Sequence, residues 1–317
     1  MIHNDIEINP TAIEGESLMG QSEVILAYDF GGTKVGAALA NTERRIVKRD
    51  RIRSSGLPAA ALLGQVIEMG NRLLKSVNDC TLTAVGVSMC GVVIQDRVEL
   101  APNLIGIEEL NVHRILTDAF HVPIVIENDV KAATLAELRQ GNLKGTDYGL
   151  YVNFGTGISA GFTAGNRVMR GHSGAAGEIG YLMKSRDDTA TFKSGHASFE
   201  EFSSGSGIAK RYADQYGKTL TTKEIFEMSQ PNPETRTFIS EIGHEIGYQV
   251  ANLAIMWNPE KIAIGGGMAA SYQLLHDPIM SALVENVPYP PDLVRSNFLQ
   301  DASLYGAMEL AFSANTD

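Results

Sequence analysis

The feature that most constrains this chain is a repeat. "VILAYDFGGTKVGAALANTERRIV" opens with an apolar run over residues 24–28 that ends in Asp29. It turns at Gly31 and Gly32, resumes an apolar run to Leu39, and passes a polar turn, "NTERR", into a third strand. "YGLYVNFGTGISAGFTAGNRVMRG" follows the same order, with Asn153 at the place of Asp29 and "FGTG" at that of "FGGT". Apolar β-rich runs punctuated by glycine and polar turns read as antiparallel meanders. Two such meanders on a period of about 125 residues predict a duplicated unit, and a duplication decides the architecture. A strand follows each glycine turn, so neither turn is the strand-to-helix opening of a dinucleotide fold.

The stretches between and after the meanders supply the other layers. Residues 58–78 place Leu62, Val66, Met69, Leu73 and Val77 on one side of a helix. "TAVGVSM" and "VPIVIEND" read as buried strands, and "DVKAATLAELRQG" as a helix capped by Asn128 or Asp129 and stopped by Gly141. Helices are expected around 203–216, 222–229 and 233–257, and near 303–313, with "KIAIGGGMA" a buried strand running into Gly265, Gly266 and Gly267. The expected architecture is α/β, two lobes facing one another across a central cleft. Residues 23–127 plus 300–317 form the N-terminal lobe and 128–299 the C-terminal lobe. Residues 1–22 read as a disordered lead-in, polar and acidic, without the basic and apolar regions of a signal peptide.

Composition removes several function classes. The chain of 317 residues carries 37 acidic against 26 basic side chains, a net charge of −11. Phosphate-backbone recognition needs clustered Lys and Arg, so nucleic acid is not an expected partner. No apolar run reaches the length of about 18 residues that a membrane span requires. The two cysteines, Cys80 and Cys90, make no disulfide framework, favour a cytoplasmic address, and read as small buried apolar groups. His172, His196 and His244 are too widely spaced for a metal motif.

Four short motifs carry the chemistry. In "AYDFGGTKVG", Gly31, Gly32 and Thr33 can turn backbone N–H groups toward a phosphate while Asp29 faces its magnesium, or the stretch is an ordinary hairpin. In "NFGTGISAG", Gly155, Thr156 and Gly157 offer the same chemistry, and the pairing of two such turns in a repeated unit favours phosphate binding. "IAIGGGMA" puts glycines at a strand end, where open α/β sheets place ligands. In "IVIENDVKAA", Asp129 either caps the following helix or faces the cleft as a general base.

In order along the chain, "DFGGTK", "APNL", "IENDVKAA", "NFGTGISAG", "AGEIGY", "FEEFSSGSGI" and "IGGGM" resemble the ROK family of repressors and sugar kinases, members of the actin-like ATPase superfamily (ribonuclease H-like fold), from about Val24 to about Phe312. The resemblance implies an ATP-dependent sugar kinase, with ATP and Mg2+ as cofactors, a small sugar as substrate and a homodimer as assembly. It implies phosphate-binding turns at Asp29, Gly31, Gly32, Thr33, Lys34 and at Gly155, Thr156, Gly157. It adds Gly205, Gly265, Gly266 and Gly267 to the nucleotide side. Asn103, Asn128, Glu178 and Glu200 match sugar-holding positions, and Asp129 matches the base that takes the proton from the attacking hydroxyl, usually on C6. The helix-turn-helix domain of the family's repressors has no counterpart here.

The chain departs from the family at several positions. The family usually carries a His and a cysteine cluster that bind a structural zinc; here the His position is Tyr181 and "LMKSRDDTATFKSGHASFEE" holds no cysteine. No structural zinc is expected, and the loop must be ordered by packing or by substrate. Zinc-less β-glucoside kinases are similar in this respect. Lys131 and Cys90 also replace the residues usual at their positions, which bears on substrate choice. The expected reaction is transfer of the ATP γ-phosphoryl group to a hexose hydroxyl. The alternatives are a β-glucoside or N-acetylmannosamine acceptor and, in a different class, a non-catalytic sugar-sensing regulator. Sequence leaves the glycine-rich "GHSGAAGEIGYL", with Glu178 inside it, as a loop expected to bend tightly beside a sugar.

Overall fold

The computed structural model describes residues 22–94, 97–101, 103–186, 188–189 and 191–314. The first meander is β1 (Ser22–Phe30), β2 (Lys34–Asn41) and β3 (Ile46–Arg53). β1 and β2 pair antiparallel from Val24↔Asn41 to Phe30↔Val35, which sets Asp29 beside Gly36 at the turn. After α1 (Ala59–Lys75), β4 (Cys80–Met89) lies parallel along the other edge of β1, and β7 (Ile124–Asn128) lies parallel to β4. A small hairpin, β5 (Val92–Ile94) and β6 (Arg97–Glu99), and α2 (Val112–Phe120) occupy the stretch between them.

The second sheet repeats this plan. α3 (Asp129–Arg139) leads into β8 (Tyr148–Phe154), β9 (Ile158–Ala164) and β10 (Arg167–Val168), and the sheet is completed by β11 (Lys261–Gly265) and β12 (Asp292–Arg295). The strand orders are β3-β2-β1-β4-β7 and β10-β9-β8-β11-β12, the same topology strand for strand. The duplication therefore extends beyond the meanders legible in sequence to two further parallel strands in each unit. β12 left no mark in sequence because "DLVR" is four residues long and only half-buried.

The remaining helices are α4 (Ser198–Ser203), α5 (Gly205–Tyr216), α6 (Thr222–Ser229), α7 (Pro233–Trp257), α8 (Tyr272–Asn286) and α9 (Ala302–Ala314). The helix expected over 203–216 is split: Ser204 is extended and caps α5 by accepting the Gly207 N–H at 3.0 Å. α8 escaped the sequence reading because Pro278 lies inside it; that proline packs against Gly243 and Gly247 of α7. The reading of 1–22 as a lead-in lies outside the described residues up to residue 21, and Ser22 opens β1. Among the described residues no helix is long and apolar enough to cross a membrane.

α9 is the wedge that sets the first sheet against α3. Leu304, Ala307, Met308 and Ala311 pack on Ile25, Ala27 and Ala84 of that sheet. The approach is so close that a side chain beginning at Gly86 would sit 1.8 Å from the Ala307 carbonyl oxygen, and one at Gly306 2.0 Å from that of Ala132. Gly306→Ala is expected to lower stability by roughly 1–3 kcal/mol through overpacking. Urea denaturation followed by circular dichroism reads this as a lower midpoint.

Candidate active site

α3 starts where β7 stops, and one amide builds the junction. Asn128 Oδ1 accepts the N–H groups of Val130 and Lys131, both at 3.1 Å, and so is the N-cap. Its Nδ2 donates to the Gly91 carbonyl at 2.9 Å and to Asp129 Oδ1 at 3.0 Å. Every hydrogen-bonding position of that amide is thereby engaged within the protein. Asp129 is the first helical residue rather than the cap, and its Oδ1 also takes the Val130 N–H at 2.9 Å. At the far end of the same helix, buried Glu137 accepts the Ser296 hydroxyl and the Asn297 N–H through Oε1, both at 2.7 Å. Its Oε2 takes the Asn142 N–H at 2.8 Å. α3 is thus tied to the segment leading to Leu299 and Gln300.

Asp129 opens on a cavity of about 320 Å3 that it shares with Asn153, Gly155, Thr156, Gly266 and Gly267. A carboxylate from the end of the first sheet therefore faces the glycine turns of the second. Burial, and then the charge of Asp29, push the Asp129 carboxyl up to about 7, a position suited to a group that must both hold and release a proton. Asp29 is itself raised by burial, a shift opposed by hydrogen bonds from Ser303 and Ser88, the latter at 3.1 Å, and by the charge of Lys34.

The two meander turns close in related ways: the Gly31 N–H reaches the Lys34 carbonyl and the Gly155 N–H that of Gly157, each at 3.0 Å. The second turn is braced by the start of α5. There the Gly205 N–H bonds the Gly155 carbonyl at 2.8 Å and the Ser206 hydroxyl that of Thr156 at 2.6 Å. Gly266 adopts φ +81°, and a side chain there would begin 2.4 Å from the Phe154 carbonyl oxygen, so only glycine lets β11 meet β8 here. Gly265 faces inward onto Tyr151 and does not line the cavity. Of the first turn, Gly31, Gly32, Thr33 and Lys34 also lie outside its lining, and the Thr33 and Lys34 side chains are exposed. Asn103 nevertheless rests on this turn: its Cβ lies 2.9 Å from where a side chain on Gly32 would begin.

The loop of "GHSGAAGEIGYL" is held rather than loose. Gly171, Gly174 and Gly177 have φ of +73°, +74° and +89°. The Gly177 carbonyl accepts the Ala160 N–H at 2.8 Å, and a side chain at Gly177 would start 1.8 Å from the Ala160 carbonyl. This contact with β9 fixes Glu178, half-buried, beside Glu200. Glu200 Oε2 accepts the Ile158 N–H at 2.8 Å and abuts Gly157. Burial raises both carboxyls, and the Glu200 charge raises Glu178 further, while Lys131 opposes that shift.

Packing orders the segment after Tyr181. The Tyr181 ring stands edge-on to Phe192, with centroids 5.3 Å apart. Ser198 hydrogen-bonds Asp188, and His196 Nδ1 lies 2.9 Å from Glu201. Among the described residues no three His, Cys, Asp or Glu side chains are grouped to hold a metal ion. Cys90 is half-buried rather than fully buried, and burial pushes its thiol up to about 12, so it stays protonated at neutral pH. Cys80 is half-buried too, its thiol facing the carbonyls of Leu74 and Val77.

Sequence reasoning missed Ser88, Ser303 and Gln300. Each sits far along the chain from Asp29 or Asp129, in no motif, and only the parallel strand β4 and helix α9 bring them in.

A family model described as the ROK family matches residues 25–314. A glucokinase of Halalkalibacterium halodurans is 29% identical over 277 residues, covering 80% of this chain and 83% of that protein. The crystal structure of a ROK hexokinase from Thermus thermophilus aligns with a TM-score of 0.81 at 25% identity, covering 93% of this chain and 99% of that one. A ROK family glucokinase from Streptomyces griseus, in complex with glucose and AMPPNP, aligns with a TM-score of 0.77 at 24% identity, covering 92% and 99%. The fold is that of the actin-like ATPases, with mixed sheets.

The raised Asp129 carboxyl makes a prediction about stability. Its value is about 7 in the folded chain against the ordinary 3.8 of a free side chain, so between these pH values the folded state holds a proton that the unfolded state has released. Stability contributed by this site falls as pH rises through that window. Asp129→Asn should therefore raise the melting temperature at pH 8 relative to the native protein and change it little at pH 4. Thermal denaturation at the two pH values measures the difference.

Proposed function

The chain belongs to the ROK family, and from that premise we propose that it is an ATP-dependent sugar kinase. It transfers the γ-phosphoryl group to a hexose hydroxyl, the C6 hydroxyl of a glucose-like acceptor. The observation that carries this reading is the shared cavity in which the Asp129 carboxylate faces Gly155, Thr156, Gly266 and Gly267. Open backbone at Gly155 and Gly267 leaves room for phosphate groups, since a side chain at Gly267 would meet nothing within 4 Å. The relatives named glucokinase and hexokinase, and the glucokinase complex with glucose and AMPPNP, support the same reading.

In this proposal Gly155 and Thr156, braced by Gly205, form the phosphate side with Gly266 and Gly267, and the first turn with Asp29 and Lys34 lies beyond the cavity lining. Magnesium bound with ATP would neutralise charge on the phosphate oxygens, and Asp29 would face it. Glu178 and Glu200 accept hydrogen bonds from sugar hydroxyls, and Asn103 adds a donor and an acceptor above Gly32. Asn128, fully engaged at the helix cap, orients Asp129. Asp129, ionised, accepts the proton of the attacking hydroxyl. Phosphoryl transfer depends chiefly on such positioning, because the protein makes no covalent bond to the group in flight.

A coupled assay of ADP release from Mg-ATP over glucose, mannose, fructose, N-acetylhexosamines and cellobiose tests the proposal. Turnover is expected with at least one hexose, rising with pH through about 7 as Asp129 ionises. Asp129→Asn is expected to lose at least about a hundredfold in kcat while retaining sugar binding by calorimetry. Near-native turnover in that variant removes Asp129 from the mechanism. Silence of the native protein across the panel favours a sugar-sensing regulator.

A further inference from the structure

Lys131 is a lysine in an unusual place. It is 1% exposed, among the largest fully buried side chains, and lies in the first turn of α3, two residues after Asp129. Among the described residues its ammonium has no ion-pair partner; burial pushes it toward the neutral form, and the charges of Glu178, Glu127 and Asp129 oppose that shift. Glu127 already has a partner, Arg170, whose Nε lies 2.8 Å from Oε2. Asp129 is engaged by Val130 and Asn128. Among the described residues Glu178 has no such cation of its own.

The fold brings Lys131 and Glu178 together through β9. α3 packs against this strand where Thr134 meets Gly161; a side chain on Gly161 would begin 1.8 Å from the Thr134 hydroxyl. The neighbouring residue, Ala160, is hydrogen-bonded to Gly177. Lys131, one turn before Thr134, is thereby brought to the side of β9 that carries Gly177 and, next to it, Glu178, whose charge acts on it. A buried ammonium without a direct partner is costly unless the charges around it compensate. The surrounding carboxylates do so only if they remain ionised.

We propose that Lys131 is a positioning residue for the acceptor sugar, its buried ammonium attracting the Glu178 carboxylate and setting its direction. This rests on the sugar-kinase reading above. The other groups facing Glu178 are Glu200 from α4, Asp129 from the start of α3, and Glu127 with Arg170 around Lys131; Tyr181 adds a weakly acidic phenol. Of the cations, Lys131 is the one whose charge opposes the rise of the Glu178 carboxyl. Removing it makes Glu178 easier to protonate, so the acid limb of sugar use moves to higher pH.

The experiment compares Lys131→Met and Lys131→Gln with the native protein in the coupled assay, using whichever hexose the native protein turns over. Expected is a rise of about tenfold or more in KM for the sugar, with KM for ATP within about twofold. The acid limb of kcat/KM for sugar should shift upward in pH; Lys131 also opposes the rise of Asp129, so the part of the shift that disappears in the Glu178→Gln background is the part carried by Glu178. Combining Lys131→Met with Glu178→Gln should add little to the loss from Glu178→Gln alone. Unchanged sugar KM and pH profile in folded variants, or additive losses in the double variant, overturn the proposal. Failure of both single variants to fold, with Glu178→Gln folded by circular dichroism, assigns Lys131 to the core and overturns it as well. A native protein silent toward every sugar fails the kinase reading itself, a separate result from any change on mutation.

Discussion

Asn128 holds four hydrogen bonds at the point where β7 becomes α3, and the cleft is organised around that junction. By capping the helix it relieves Asp129 of the cap, and by donating to Asp129 Oδ1 it fixes the direction of that carboxylate. A carboxylate at the first helical position benefits from the helix dipole, yet burial and the charge of Asp29 outweigh it here. The result is a carboxyl that holds its proton far more tightly than usual and exchanges it near neutral pH. Glu137, at the other end of the helix, ties the same rigid element to residues 296–298. One helix therefore couples the Asp129 carboxylate, the wall of the cavity and the joint between the two sheets.

The duplicated sheets explain why opposing groups meet. Each unit ends its first strand in a glycine turn, with Asp29 in one and Asn153 in the equivalent position of the other. Asp29 pairs in register with Ser88 and Gly36, and Asn153 with Gly265 and Ser159. In the proposed function the acidic version manages the metal and the neutral version leaves room for phosphate. Asp29, Asp129, Glu178, Glu200 and Glu127 are all raised by burial. The charge of Lys131 opposes the rise at Glu178, Glu127 and Asp129, and that of Arg170 the rise at Glu127.

Much of this was legible in the sequence. The two meanders, the helix α3 and the strand running into Gly265 follow from hydrophobic periodicity and glycine punctuation, which depend only on neighbouring residues. The glycine spacing around Glu178 announced a bent loop, though not a rigid one: its backbone is held by Ala160, far away in the chain. The choice between Asn128 and Asp129 as cap could not be made from two adjacent cap-forming residues, since either can cap a helix and the choice shifts its start by only one residue.

Sequence by itself determined the duplication, the α/β class and the residue types at the cleft, because strand alternation, helix period and turn chemistry are local. Tertiary structure alone decided that Ser88 and Ser303 serve Asp29 and that α9 wedges between Gly86 and Ala132. It also decided that Lys131 lies buried within reach of the Glu178 charge, with no ion-pair partner among the described residues. These are contacts across long loops of chain, and their energies depend on burial and on the summed charge of neighbours, which no short stretch of sequence contains.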